Sequence, residues 1–207
     1  GQRLFSINRQ ASGSKITLMM RNNKPQMLWV DSAVAAQQIS TNVVANDGNW
    51  HNLVGTTDGT TFVVYLDGIE KDSATSSLTS LYYGEVVIGQ LEGQGGYFDG
   101  SIDEVLIYND SLTASEVTEL YKAGLSQHAD TNVTLETRVA DSYNVSDSGL
   151  VGLWGLNGDS DDATGVNDGA WVNGEDYTDE DGIVGVSGNF GGSNYVNLHN
   201  NDSLNIC

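Results

Sequence analysis

Short segments of alternating apolar and polar residues, separated by turns, restrict most strongly what this chain of 207 residues can fold into. Alternation with a period of two is typical of antiparallel strands that bury one face. Glycine adopts the positive φ that tight turns need, and the four Asp-Gly turns are Asp47-Gly48, Asp58-Gly59, Asp67-Gly68 and Asp99-Gly100. The pattern over residues 1–108 therefore predicts an all-β fold, a two-sheet antiparallel sandwich of the jelly-roll type.

One short helix is predicted near residues 113–122. Thr113 and Glu116 have the spacing of a capping box, and Gly124 is expected to end the helix. Apolar residues then become sparse, and a second β-rich stretch begins at Gly149. We therefore divide the chain into a first segment (1–124), a linker (125–147) and a second segment (148–207).

The charge of the chain is strongly negative and unevenly distributed. Eight Lys and Arg residues face 28 Asp and Glu residues, which gives a formal net charge of −20. Residues 1–124 hold 14 acidic and 7 basic side chains, whereas residues 125–207 hold 14 acidic and 1 basic. This balance argues against nucleic acid and anionic membrane surfaces as partners. No apolar run approaches the roughly 18 residues of a membrane span, so membrane insertion is not expected.

Three passages of the first segment resemble the laminin-G-like, concanavalin A-like lectin/glucanase jelly-roll family. They are DGNWHNLVGT at residues 47–56, FVVYLDG at 62–68 and GYFDGSIDEVLIYNDSLTASEVTELY at 96–121. Their order along the chain is the order in the family. The resemblance implies a concanavalin A-like fold and an extracellular or cell-surface location.

The passages that resemble the opening strands of the same family come last in this chain. They are GLVGLWGLNGD at residues 149–159, DATGVNDG at 162–169 and GNFGGSNYV at 188–196. Neither half alone closes a two-sheet core without leaving strand edges unpaired. Either the two halves pack within one chain as a circular permutant, or the second segment completes a neighbouring copy by strand exchange.

The resemblance also implies a structural calcium ion, since this family often holds one beside the strand that carries the Asp-Glu pair. The positions carried over are Asp99, Asp103, Asn157, Asp159 and Asp162. Their oxygen atoms are ligands that calcium prefers. The alternative is that these side chains cap turns or lie on solvated edges, and the spacing of an EF-hand is not met.

Aromatic side chains near turns and strand edges are the candidates for binding carbohydrate, because shallow sites hold sugar rings against aromatic faces. The candidates are Trp29, Tyr82, Tyr83, Tyr97 and Trp171. Each of them is also a candidate for the core, where large aromatic residues are usually found.

The sequence lacks the usual signs of an enzyme. Glu70 and Asp72 begin a glycosidase-like carboxylate pattern, but no further glutamate follows at the required spacing. The three histidines are scattered and have no nucleophile nearby in sequence.

The resulting hypothesis is a noncatalytic extracellular module that binds carbohydrate or an extracellular protein and is stabilised by calcium. The main alternative is a structural or adhesion subunit of a surface protein or filament, assembled by strand exchange between copies. A third and less favoured hypothesis is a glycan-processing enzyme.

Overall fold

A computed structural model of the chain describes residues 1–8, 15–31, 34–76, 85–90, 96–129, 149–177, 182–183 and 186–198. The first eight strands are β1 Gln2–Asn8, β2 Lys15–Arg21, β3 Lys24–Asp31, β4 Val34–Ser40, β5 Leu53–Thr57, β6 Thr61–Leu66, β7 Ile69–Thr75 and β8 Glu85–Ile88. The others are β9 Asp99–Ile102, β10 Val105–Tyr108, β11 Leu150–Trp154, β12 Ala170–Val172, β13 Gly188–Gly191 and β14 Tyr195–Asn197, and the helix is α1 Ala114–Ala129.

Over the described residues, the strands form one large antiparallel sheet and three small ones. The large sheet has seven strands in the order β12-β14-β8-β1-β2-β3-β4. The small sheets are β5-β6-β7, β10-β11 and β9-β13. Two clusters of buried side chains join the inner face of the large sheet to the small sheets, as in a sandwich. The predicted all-β jelly-roll class is confirmed.

The first core cluster combines residues from both segments of the chain. Its buried members are Val86, Ile88, Ile102, Ile107, Trp154, Leu156, Phe190, Val196 and Leu198. The second cluster lies within the first segment, where the Trp29 ring stacks on Phe62 with a centroid distance of 4.0 Å and an interplanar angle of 4°. The second segment is thus built into the core rather than attached to its surface.

Strand pairing places the second segment against the first in both layers of this single chain. β11 pairs with β10, with Trp154 opposite Val105, and β13 pairs with β9, with Gly188 opposite Ile102. β14 pairs with β8 and extends the large sheet. These are the passages that resemble the opening of the family, and here they lie beside strands from the first segment.

The helix begins as predicted but ends later. The Thr113 backbone N–H donates to Glu116 Oε2 at 2.7 Å, and the Glu116 N–H donates to Thr113 Oγ1 at 3.3 Å, which confirms the capping box. The predicted stop at Gly124 is wrong, because α1 continues to Ala129. A glycine inside a helix costs only about 1 kcal/mol, and Gly124 does not adopt a positive φ. The linker prediction otherwise falls mostly on residues outside those described.

In the described part of the chain, no helix has the length and apolar character required to cross a membrane.

Candidate functional site

Two aromatic side chains meet at the β12 edge of the large sheet. Trp171 lies on β12, and Tyr177 follows it after a turn and bridges to Gly188. The two rings are nearly perpendicular, with centroids 5.4 Å apart and an interplanar angle of 81°. Trp171 Nε1 donates to the Tyr177 hydroxyl at 2.6 Å, which fixes both rings in this arrangement. Both side chains remain partly exposed.

One side of Trp171 is held by the core. Its ring lies 5.1 Å from that of Phe190, which is fully buried, and Trp171 packs against the first core cluster. This contact anchors the tryptophan on a rigid base, which is what a binding platform needs.

Three carboxylates act on Tyr177 through their charge. Burial raises the pKa of its hydroxyl, the hydrogen bond from Trp171 lowers it, and the negative charges of Glu175, Asp159 and Asp161 raise it further. These three side chains are exposed. We call Trp171, Tyr177 and these three acidic residues the aromatic edge. Carboxylates beside an aromatic ring can accept hydrogen bonds from sugar hydroxyls.

A second aromatic pair lies on the opposite face of the same edge. The rings of Tyr97 and Tyr195 have centroids 6.4 Å apart and are tilted by 44°. Tyr195 is opposite Val172, whereas Trp171 is opposite Val196, and alternate residues of a strand point to opposite faces. The two pairs therefore do not form one surface.

The predicted sugar-binding residues are not brought together. Trp29 is only 1% exposed and stacked on Phe62, so it has no ring face for a ligand. The prediction that Trp29 binds sugar is wrong, because its ring is buried in the second core cluster. Tyr82 and Tyr83 lie outside the described residues. Tyr97 and Trp171 are partly exposed but belong to the two separate pairs.

The sequence interpretation missed Tyr177 and Tyr195. Their partners Trp171 and Tyr97 were among the candidates, but the pairing depends on a turn and on strand register. A Tyr six residues after Trp171, beyond an Asn-Gly turn, was the available signal for the first pair.

Asp162, one of the predicted calcium ligands, is 4% exposed and saturated with hydrogen bonds. Its Oδ1 accepts from the Leu153 and Thr164 N–H groups, both at 2.9 Å. Its Oδ2 accepts from the Asn167 N–H at 3.0 Å and from the Thr164 hydroxyl. Burial raises the pKa of Asp162, but these hydrogen bonds outweigh it and lower the pKa overall. The carboxylate organises the loop after β11, and each of its two oxygen atoms already accepts two hydrogen bonds.

The other predicted ligands are dispersed or already used. Asp103 Oδ2 accepts from the Ile183 N–H at 2.5 Å, and its Oδ1 from the Glu104 N–H at 2.9 Å. Asp99, Asn157 and Asp159 are exposed. Within the described ranges, no group of three acidic, histidine or cysteine side chains is arranged to hold a metal ion. Calcium binding at these five positions stays a prediction.

His51 lies between two carboxylates near the β6–β7 turn. Its Nδ1 is 2.9 Å from Asp67 Oδ2 and its Nε2 is 3.2 Å from Asp47 Oδ1. Burial lowers the pKa of His51, but hydrogen bonds and charge from Asp67 and then Asp47 raise it overall. Asp67 also accepts from the Asn52 N–H at 3.0 Å, so this group ties the strand entry to the turn. These contacts are those of a group that stabilises the turn.

Two facing layers of antiparallel strands around a shared core define a jelly-roll sandwich. The chain belongs to the concanavalin A-like lectin/glucanases superfamily, since the laminin G family model of that superfamily matches residues 1–118. The second segment lies outside this match.

One solved structure is similar, that of an S-layer domain-containing protein (residues 221–444) from Clostridium thermocellum ATCC 27405. The two chains are 21% identical with a TM-score of 0.31, and the match covers 58% of this chain and 62% of that one. So slight a likeness carries no argument about function. Among curated proteins, none matches this chain.

Proposed function

We propose that this chain is a noncatalytic extracellular module that binds carbohydrate at the aromatic edge. The observation that carries the proposal is the Trp171–Tyr177 pair, two perpendicular and partly exposed rings fixed by a 2.6 Å hydrogen bond. Such a corner offers one ring for stacking on a sugar and a second ring that limits its orientation. Membership of a superfamily of lectins and glucanases supports carbohydrate as the ligand class.

The flanking charges specify the kind of sugar. Asp159, Asp161 and Glu175 provide acceptors for hydroxyl groups and repel anionic groups. The ligand of the aromatic edge is therefore a neutral sugar, or one that carries an amino group.

The test is a glycan array followed by calorimetry on the sugars that bind. Tyr177→Ala removes one ring and is expected to weaken binding about five- to hundredfold, if a sugar face gains on an aromatic ring the roughly 1–3 kcal/mol that a nucleobase gains by stacking. Tyr97→Ala removes a ring from the other pair and serves as the matched control, with binding unchanged within twofold. Thermal melts establish that both variants are folded. A wild-type chain that binds no glycan, or a Tyr177→Ala variant that binds as wild type does, contradicts the proposal.

A second candidate function, assembly at the cell surface by strand exchange, is favoured by a different observation. The first core cluster takes Val86, Ile88, Ile102 and Ile107 from one segment and Trp154, Phe190 and Val196 from the other. The same pairings between two copies would join them, as in domain swapping.

A further inference from the structure

The chain has two Asn-Gly pairs, Asn157-Gly158 and Asn173-Gly174, and both lie in described loops. In such a pair the backbone nitrogen of the glycine can attack the side-chain amide of the asparagine. Glycine favours this attack because it has no Cβ to block the approach. Both asparagines are exposed, so exposure alone does not distinguish the two sites. Their hydrogen bonds do.

Asn157 lies at the exposed tip of the loop that follows β11. The tip is held between two buried residues, Leu156 and Ser160, which are 1% and 8% exposed. Ser160 Oγ donates to the Gly169 carbonyl at 2.9 Å, and the Gly169 N–H donates to the Ser160 carbonyl at 2.8 Å. A methyl group on Gly158 would meet no atom within 4 Å. The glycine therefore stands in open space on an anchored loop.

The side chain of Asn157 is free to rotate. Among the residues that the structure describes, it has no hydrogen-bond partner. Its amide nitrogen would lie 2.9 Å from a Cβ on Gly155, so the side chain lies back along the chain toward that residue. Exposed side chains change rotamer within picoseconds to nanoseconds. Rotation about the Cα–Cβ bond brings Cγ of Asn157 to the nitrogen of Gly158, and no hydrogen bond has to break for it.

Asn173, in contrast, is held in place by its side chain. Its Nδ2 donates to the Ser193 carbonyl at 2.9 Å, which joins the end of β12 to the loop between β13 and β14. Asn173 and Gly174 have φ values of 67° and 107°, so the backbone is in a tight turn. Attack by Gly174 requires this hydrogen bond to break and the turn to open, and both cost free energy.

We propose that Asn157 is a site of spontaneous deamidation, whereas the fold protects Asn173. The nitrogen of Gly158 loses its proton to the solvent and forms a bond to Cγ of Asn157. The Cγ–Nδ2 bond breaks, the leaving NH₂ group takes up a proton and departs as ammonia, and a cyclic imide remains. Water then opens the imide at either carbonyl, which gives aspartate or isoaspartate. Water is the one co-reactant, and nothing is oxidised or reduced.

Deamidation adds a carboxylate to a loop that is already acidic. Asp159 and Asp161, which follow in the same loop, act on Tyr177 through their charge. The net charge becomes one unit more negative than −20. Because Leu156 and Ser160 hold the tip on either side, we expect both products to stay folded. The reaction thus changes the charge beside the aromatic edge with time, whether or not that edge binds sugar.

The test follows both sites in the folded, full chain. The protein is incubated in mildly alkaline buffer made with heavy-oxygen water and digested, and each Asn-Gly peptide is analysed by mass spectrometry. We expect Asn157 to be converted, with heavy oxygen incorporated, at least tenfold faster than Asn173. In guanidinium chloride, where the fold is lost, the rates at the two sites should agree within threefold.

Two variants assign the product. N157Q and N173Q each carry a side chain one methylene longer, which closes the ring far more slowly. Ion exchange separates the more acidic product from the starting protein. We expect N157Q to abolish this product and N173Q, the matched control, to leave its rate of formation within twofold of wild type. Thermal melts establish that both variants are folded.

An Asn157 that stays unchanged in native buffer overturns the proposal. Conversion of Asn173 as fast as Asn157 in the folded chain also overturns it, because the fold then does not distinguish the two sites. An acidic product that still forms in N157Q at the rate of wild type places the reaction at another residue and has the same consequence.

Discussion

At the scale of single residues, one carboxylate that was predicted to hold a metal ion instead organises a loop. Asp162 is buried in an otherwise largely exposed loop and accepts four hydrogen bonds from Leu153, Thr164 and Asn167. Asn167 in turn accepts from Trp154 Nε1 at 3.0 Å through its carbonyl group. The loop and the buried tryptophan are therefore fixed through one charged group.

Asp162→Asn should destabilise the chain by about 3 kcal/mol at neutral pH, because the amide NH₂ group would face backbone N–H donors that need an acceptor. Since its pKa is lowered on folding, Asp162 contributes stability above the ordinary pKa of an aspartate, and this contribution is lost as the pH falls through the lowered value. The gap between wild type and variant in urea unfolding should thus narrow in acid. Asp110→Asn, at an exposed position, is the control, and equal stabilities of the two variants would contradict this role.

At the scale of strands and helices, local patterns predicted most elements, and the failures have physical causes. The alternating pattern runs without a break over residues 100–108, but the structure has two strands there, β9 and β10. Asp103 accepts backbone N–H groups and Glu104 takes a φ of 51°, so the chain turns where the apolar pattern continues. The cap at Thr113 was predictable because it depends on four neighbouring residues. The partner of Trp171 had only the nearby Asn-Gly turn as a signal, because its position also depends on a bridge to β13.

The charge count over residues 1–124 hides an uneven distribution of acidic residues within that segment. Counting acids and bases by segment concealed that residues 1–30 contain no Asp or Glu. Which of the early cations share a face follows from the β1–β2–β3 register, since a shift of one residue would turn them inward. Amino-acid composition does not give the pairing of strands, so it cannot tell which of these residues share a face.

The end of β8 is a sensitive point of packing between the two segments. Gly89 has a φ of 87°, and a methyl group there would lie 2.3 Å from Cδ1 of Phe190 on β13. Gly89→Ala should therefore destabilise the fold by about 3 kcal/mol, the sum of backbone strain and overpacking. Gly59 has the same φ with open space around it, so Gly59→Ala should cost about 1 kcal/mol from strain alone. Equal losses in urea unfolding would mean that Phe190 does not pack on β8 as described.

At the scale of the whole molecule, the order of the segments decides how copies relate to one another. The passages resembling the family's opening strands come after those resembling its end, yet they pair with β8, β9 and β10. A core built from both segments can form within one chain, when the second segment packs against the first segment of the same chain. It closes between chains when the second segment reaches a neighbour first, which high concentration during refolding favours.

A cysteine pair across β10 and β11 separates these outcomes. Leu106 is directly opposite Leu153, at a separation typical of directly paired strand residues and suited to a disulfide. In L106C/L153C with Cys207→Ser, refolding at low concentration and oxidation should give a crosslinked monomer. Refolding at high concentration should give crosslinked dimers and larger species, if strand exchange supports assembly. L106C/C207S controls for accidental crosslinks between surfaces. A crosslinked monomer at every concentration on nonreducing gels would rule out exchange and leave the closed single-chain sandwich, because the bond forms only between strands that are paired.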